Sequence, residues 1–232
     1  MLGVRIGIVT ALVFMSPALL SAAPPAAKVS GGSITVNGKK IGKSKSYKDA
    51  VVLDDGSVIA VRDSGKLIDL QVANADSGLV VRIDPSSGAE RVVFEGQSSE
   101  YGESAVGDLD GVALSPDGTT LYVYGALSGV GDGAIWAMNP DGTGAKFLAR
   151  ATHNPAVVQS GPYRGHLLTI QRQNYETGGL WFPIVVLSPE SGEPKALCRK
   201  PKAGKSSPET DLLPYLPLNM LNLDPGAPKF TE

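Results

Sequence analysis

Short runs of consecutive apolar residues recur along this chain between clusters of Gly, Pro, Asp, Asn and Ser. No stretch carries the three-and-four spacing of an amphipathic helix. After the first few dozen residues the runs fall into a unit seen three times. Each copy opens on an apolar strand, turns tightly, returns through a second apolar strand and loops out. It then comes back on a third strand that ends in a polar residue and Pro. The openings are Asp49-Ala-Val-Val-Leu53, Asp110-Gly-Val-Ala-Leu114 and Asn154-Pro-Ala-Val-Val158, and the third strands end Ile83-Asp84-Pro85, Met138-Asn139-Pro140 and Leu187-Ser188-Pro189. A repeat of roughly 45–60 residues with several strands per copy is the sequence pattern of a propeller blade. The inner runs are nearly continuous rather than alternating, as expected of strands covered on both faces by neighbouring sheets. The pattern therefore predicts an all-β, β-propeller-like array of about three to four four-stranded antiparallel blades.

In the first unit, strands are expected at Asp49–Leu53, Ser57–Val61, Leu79–Ile83 and Arg91–Phe94, with a long polar connection over 62–78. The second runs through DGVALSPDGTTLYVYG (Asp110 to Gly125) and AIWAMNPDGTGAKFLA (Ala134 to Ala149), and the third through His166–Ile170, Ile184–Leu187 and Lys195–Cys198. Upstream, Ser33–Val36 and Lys39–Ile41 flank Asn37-Gly38, a pair suited to the positive φ angles of a type I′ hairpin turn. Three units do not close a ring. Three outcomes are open: the Asn37-Gly38 hairpin and the C-terminal segment make a fourth blade, the array is short and open, or self-association completes it.

Outside the repeats the chain changes character. Met1 to Arg5 carries a positive charge, Ile6 to Met15 is almost wholly apolar, and Ser21, Ala22 and Ala23 are small, so residues 1–23 are expected to be a secretory signal peptide. That implies export to a periplasmic or extracellular compartment. Residues 24–31, rich in Pro, Ala, Gly and Ser, are expected to be a flexible leader, and 32–210 the propeller-like domain. Residues 211–232, broken by Pro214, Pro217, Pro225 and Pro228, are expected to be a tail or closing segment. No second long apolar run suggests a membrane span. The 232 residues include 28 Gly and 17 Pro, as turn-rich β structure requires. A formal net charge of −2 gives no reason to expect nucleic acid as a partner. The single cysteine, Cys198, cannot form an intramolecular disulfide and reads as a small buried hydrophobe.

Topology indicates where chemistry would sit. The tight turns fall on one face of the array, and the long connections at 62–78, 95–108, 125–133 and 171–180 crowd the other, where function tends to reside. Asp49, Asp110 and Asn154 begin the innermost strands on that long-loop face and would point together toward a central axis. Two carboxylates and an amide oxygen could hold a hard divalent cation, Ca²⁺ foremost. The alternative is that they cap strand entries by accepting backbone N–H groups. His153, beside Asn154, is a candidate acid, base or ligand, and with Asp110 the candidate for a catalytic role. His166 reads as a structural histidine, and Glu103 and Asp108 as members of an acidic loop. Gly129-Val-Gly131-Asp-Gly133 precedes a strand and reads as a flexible hairpin tip rather than a phosphate loop. The lysines at 39, 40, 43, 45 and 48, echoed by Arg199, Lys200, Lys202 and Lys205, form a solubilising surface or meet an anionic envelope partner. A serine-hydrolase elbow, a His-Glu-x-x-His motif and a zinc-type cysteine pair are absent from the sequence.

The second unit resembles the repeat of TolB-like propellers in its Ser115–Gly118 turn, its Leu121-Tyr-Val123 strand and Ile135-Trp-Ala-Met-Asn-Pro-Asp-Gly-Thr143. It is also similar to the SMP-30/gluconolactonase group, whose strands open on Asn-Gly or Asp-Gly before such a turn, here Asp110-Gly111. The likeness is good over about 40 residues and looser over roughly 150. Membership of the second group would imply an axial divalent cation and lactone hydrolysis, with Asp110 and then Asn154 at matching positions. The Glu-Gly-Pro motif that supplies a ligand in that group is absent here. Two functions are thus expected. One is an exported propeller that binds a small molecule, an envelope protein or a glycan through its long-loop face. The other is a metal-dependent hydrolase in which Asp49, Asp110 and Asn154 hold the cation.

Overall fold

A strand that is apolar at every position must bury both faces, and the inner strands of this protein do so by lying in sheets stacked face to face. The computed structural model describes residues 26–70, 73–98, 100, 104–126, 132–159, 161–174 and 180–196. The expected signal peptide, Glu103, Cys198 and the stretch 211–232 lie outside them. The described residues contain strands and turns and no α-helix.

An N-terminal meander comprises β1 (Ala27–Ser30), β2 (Ser33–Val36) and β3 (Lys39–Ile41). The first blade is β4 (Tyr47–Val52) and β5 (Val58–Arg62), then a small hairpin of β6 (Leu67–Asp69) and β7 (Asn74–Asp76), then β8 (Leu79–Ile83) and β9 (Glu90–Glu95). The second is β10 (Gly107–Leu114), β11 (Leu121–Ala126), β12 (Gly133–Met138) and β13 (Lys146–Ala151). The third comprises β14 (Ala156–Val157), β15 (Leu167–Ile170), a short pair β16 (Gln173–Asn174) and β17 (Leu180–Trp181), β18 (Ile184–Leu187) and β19 (Pro194–Ala196). Each blade is a four-stranded antiparallel sheet in the order β4-β5-β8-β9, β10-β11-β12-β13 or β14-β15-β18-β19. The described residues are therefore all-β and form three propeller-like blades.

Alternate residues of one strand serve different interfaces. On β5, Val58 and Ala60 face the meander, while Ile59 and Val61 face the second blade. On β12, Trp136 and Met138 meet the first blade, while Ile135 and Ala137 meet the third. On β18, Val185 and Leu187 pack on the second blade, while Ile184 and Val186 join a further cluster with Tyr163 and Phe182. Each fully buried Val, Leu or Ile here contributes about 1.5–3 kcal/mol of transfer free energy. Phe94 and Trp136 meet across the first interface at 5.4 Å between ring centroids, and the Trp136 indole donates to Ser104 O at 3.1 Å.

Three expectations change. The flexible leader proposed for 24–31 contains β1, which pairs antiparallel with β2. Ala27 and Val29 pack inward while Lys28 and Ser30 stay exposed, so the alternation secures the strand. The Asn37-Gly38 turn takes the expected positive φ angles of 50° and 77°, but its hairpin belongs to a three-stranded sheet on the outer face of the first blade. The "long polar connection" at 62–78 holds the β6–β7 hairpin. There Asp76 accepts hydrogen bonds from the N–H groups of Ser64, Gly65 and Gly78 and from Ser64 Oγ at 2.7–2.9 Å. Burial raises the Asp76 pKa, yet these bonds together hold it below the ordinary carboxylate value.

The tight-turn face ties each blade to its predecessor. A Cβ on Gly142, in the β12–β13 turn, would lie 2.0 Å from Val93 O of the first blade, and one on Gly192, in the β18–β19 turn, 2.0 Å from Leu148 O of the second. Gly142→Ala should therefore cost about 3 kcal/mol, combining the strain of φ +90° with a backbone clash. Gly56→Ala, at φ +80° with open space around it, should cost only about 1 kcal/mol. Urea denaturation of the two variants checks this; equal losses would mean that the turn does not seat on its neighbour.

Candidate functional site

The long-loop ends of the two blade junctions are built differently. Between the first and second blades, the β6–β7 hairpin folds over the end of the core. Leu70 and Ala75 are buried there, and Gly107 lies so close that a Cβ would meet Leu70 Cδ1 at 3.1 Å and Ala75 Cβ at 3.2 Å. Between the second and third blades, the described residues instead bring together Asp110, Asn154, Tyr124, Asp132, Arg150 and Arg172.

Asp49 and Asp110 sit on adjoining inner strands and Asn154 just before a third, β10 lying against both β4 and β14. Bulges in β4 just before Asp49 and in β10 between Gly107 and Gly111 re-aim the chain at these aspartates. Asp110 and Asn154 meet, with Asn154 Nδ2 donating to Asp110 Oδ2 at 3.5 Å. Gly111 permits this approach, since a Cβ there would fall 1.8 Å from Asn154 Oδ1. Asp49 is engaged differently. Its Oδ1 accepts from Ala50 N at 2.8 Å and its Oδ2 from Val112 N, in the next blade, at 2.9 Å. That is the capping role weighed for these residues, extended across a blade junction. Burial pushes the Asp49 carboxyl upward, the two N–H groups oppose it, and the nearby charge of Asp110 adds to the rise. With Asp49 so occupied, the set offers a cation mainly Asp110 and Asn154. Among the described residues no group of three or more His, Cys, Asp or Glu side chains is arranged to hold a metal.

Tyr124 and Asp132 carry the chemistry that sequence reasoning missed. The Tyr124 hydroxyl is pushed up to about 12 by burial and by the charges of Asp110 and Asp132, so it stays a protonated donor at neutral pH. Gly133 leaves room for the ring; a Cβ there would lie 2.3 Å from Tyr124 Cε2. The sequence places Asp132 in a flexible hairpin tip. Instead it is only 8 % exposed, and its Oδ2 pairs with Arg172 Nη2 at 2.7 Å. Burial raises its pKa, while Arg172 and Arg150 pull it down. Among the described residues its other oxygen, Oδ1, is buried without a hydrogen-bond partner. Asp132 lines a cavity of about 190 Å³ with Arg150, Ala151, Gln171 and Arg172. An Asp beside a Gly at a strand entry is an ordinary turn in sequence; only burial distinguishes this one.

The remaining candidates are placed more plainly. His153 lies next to Asn154, its Nδ1 3.0 Å from Thr152 Oγ1 and its carbonyl accepting from Thr169 Oγ1 at 2.8 Å. His166 precedes β15 and packs edge-on against Tyr163 at 5.6 Å between centroids, and among the described residues its buried Nδ1 has no hydrogen-bond partner. Asp108 is exposed and holds a left-handed φ of 41°. A larger groove of about 590 Å³ opens on the tight-turn face beside Asp55, Arg82, Asp84 and Glu90. Its aspartates are spent locally, Asp55 on Ser57 and Arg82 and Asp84 on Ser86.

No family model matches the sequence, and a search of curated proteins returns no relative. Among solved structures, the chain is similar to TolB from Acinetobacter baumannii (16 % identity, 72 % of this chain and 37 % of that one, TM-score 0.47). It is also similar to a chain of a nidogen/laminin complex (14 % identity, 75 % and 60 %, TM-score 0.46). A third is the β-propeller domain of the Trilobed protease from Pyrococcus furiosus (15 % identity, 68 % and 43 %, TM-score 0.40). The chain thus spans between 37 % and 60 % of the length of these three.

Asp49 gives the site a pH signature. Its native pKa is raised, so the folded protein binds more protons than the unfolded chain from about pH 4 up to that raised value. The Asp49 contribution to stability therefore falls as pH rises through this window and is constant above it. Asp49→Asn removes the titration. Urea midpoints of wild type and Asp49→Asn, compared between about pH 3.5 and 8, should diverge to the detriment of wild type across the window. A difference independent of pH would show that Asp49 titrates normally.

Proposed function

We propose that this chain is an exported propeller-like binding protein that recognises a small molecule, an envelope protein or a glycan through the long-loop end of the junction between its second and third blades. The observation that carries this reading is the buried Asp132 carboxylate, with one oxygen unpartnered among the described residues, lining a cavity beside two arginines. A buried charged group with an unsatisfied oxygen is costly, and a bound ligand relieves that cost. Tyr124 and the Asp110–Asn154 pair supply further donors and acceptors at the same junction. The apolar run at Ile6–Met15 with its preceding positive charge supports export.

The alternative is a divalent-metal-dependent lactone hydrolase of the SMP-30/gluconolactonase type. It is supported by the meeting of Asp110 and Asn154 and opposed by the two backbone N–H groups that occupy Asp49.

Thermal-shift screening of the purified protein against small molecules and glycans tests the proposal, since a ligand of the native state must raise the midpoint. Hits should vanish in Asn154→Ala and survive in Asp117→Ala, on the opposite face. Hits lost only in Asp117→Ala would refute the assignment. Midpoints raised by Ca²⁺, together with lactone turnover abolished by Asp110→Ala, would establish the hydrolase instead.

A further inference from the structure

Positive charge is unevenly spread over the fold. Between Ala26 and Lys48 the sequence holds six lysines, at 28, 39, 40, 43, 45 and 48, and no acidic residue. The whole chain, by contrast, has 21 basic against 23 acidic residues. The structure gathers these lysines on the N-terminal meander and its link to β4. Thr35 pairs with Lys28 on one side and with Lys40 on the other, so the three form one row across the sheet. Side chains alternate along a strand, and the neighbouring row of Val29, Ile34 and Ile41 is turned onto the first blade. The row of Lys28, Thr35 and Lys40 therefore faces outward. Lys39 adjoins it, Lys43 and Lys45 follow β3, and all three are exposed.

Lys48 pairs with Asp63 at 2.9 Å. Among the described residues the other five make neither an ion pair nor a side-chain hydrogen bond. Like charges gathered on one face repel one another, and an anionic surface laid against them relieves that repulsion. Three observations select a lipid surface over a shaped ligand. The cations are all lysines, and an ammonium is a point charge without the fork that orients a planar anion. The outward positions between them are Ser30, Ser33 and Thr35, which supply no large side chain to wall a cleft. The sheet also begins at Ala27, shortly after the apolar run that ends at Met15, so export delivers it at a membrane surface. Neither of the exposed large apolar side chains, Leu67 and Val92, lies on this sheet, so the attraction is electrostatic and involves no insertion.

We propose that the outward face of the N-terminal meander docks on anionic phospholipid headgroups, with Lys28 and Lys40 at its centre and Lys39, Lys43 and Lys45 around them. This surface lies apart from the second–third blade junction and does not depend on the reading of that junction. Docking there leaves the long-loop end of the blades open to a ligand.

The test is sedimentation of the full chain with vesicles of phosphatidylcholine, alone or with about 30 % phosphatidylglycerol. Partition onto the anionic vesicles should exceed that onto the neutral ones about tenfold at about 50 mM salt, and the excess should disappear at about 0.5 M. The combined variant Lys28→Gln, Lys40→Gln, Lys43→Gln and Lys45→Gln should lose the preference. A control that removes the same charge from exposed sites elsewhere, Lys66→Gln with Arg91→Gln, Lys146→Gln and Arg164→Gln, should keep it. Circular dichroism verifies folding; if the combined variant does not fold, the salt dependence of the wild type carries the test. Equal partition onto both vesicles, a preference that survives the combined variant or high salt, or its loss in the control as well would each overturn the assignment. Retention on heparin without any vesicle preference would also overturn it, and would give the lysines to a soluble polyanion.

Discussion

The structure depends on one constraint: the strands at the middle of each blade are too apolar to leave either face in water. A single sheet with Ile59 on one side and Val58 on the other is not stable alone; it needs a neighbour against each face. The clusters between meander and first blade, first and second, and second and third blades are the repeated solution. Because side chains alternate at each residue, a one-residue slip would exchange every side chain between two interfaces of different shape. Register is therefore fixed by packing, and the Asp-Gly turns need only reverse the chain.

Stacked apolar faces also determine where polar chemistry can be. Among the described residues the buried polar side chains are few, Ser77, Asp132 and Thr169, and the long connections fall at one end of the blades. The two junctions differ there in the residues that the described segments bring to them. In the first blade a well-bonded hairpin organised by Asp76 places Leu70 and Ala75 over the core. At the next junction the described residues present Tyr124 and the Asp132–Arg172 pair. An ion pair there is tolerable because its surroundings are polar, yet among the described residues one carboxylate oxygen goes without a partner.

The blades were legible in the sequence wherever burial was two-sided. β8 and β18 fall on the residues expected, Leu79–Ile83 and Ile184–Leu187, because continuous apolar runs leave few alternatives. The Asn37-Gly38 hairpin was legible because its backbone demands those residue types. β1 escaped because Ala27 and Val29 are weak signals in a Pro- and Gly-rich setting and become a strand only by pairing with β2. β6 and β7 escaped because Leu-Ile-Asp and Asn-Ala-Asp carry no periodicity and depend on Asp76. At the site, chain direction was enough to bring Asp110 and Asn154 to one place. It could not reveal that Asp49 spends both oxygens on backbone, nor that Asp132 is buried, since both follow from the adjoining blade rather than from local residues.

The glycine turns that press on the previous sheet give the stack a direction. Gly142 needs Val93 O in place before it can seat, and Gly192 needs Leu148 O, so every seat is prepared by residues nearer the N-terminus. A chain emerging from the ribosome presents those seats in the required order. Growth of the native structure can then follow translation, each new sheet both seating on the one before it and covering the face that the earlier sheet still exposes.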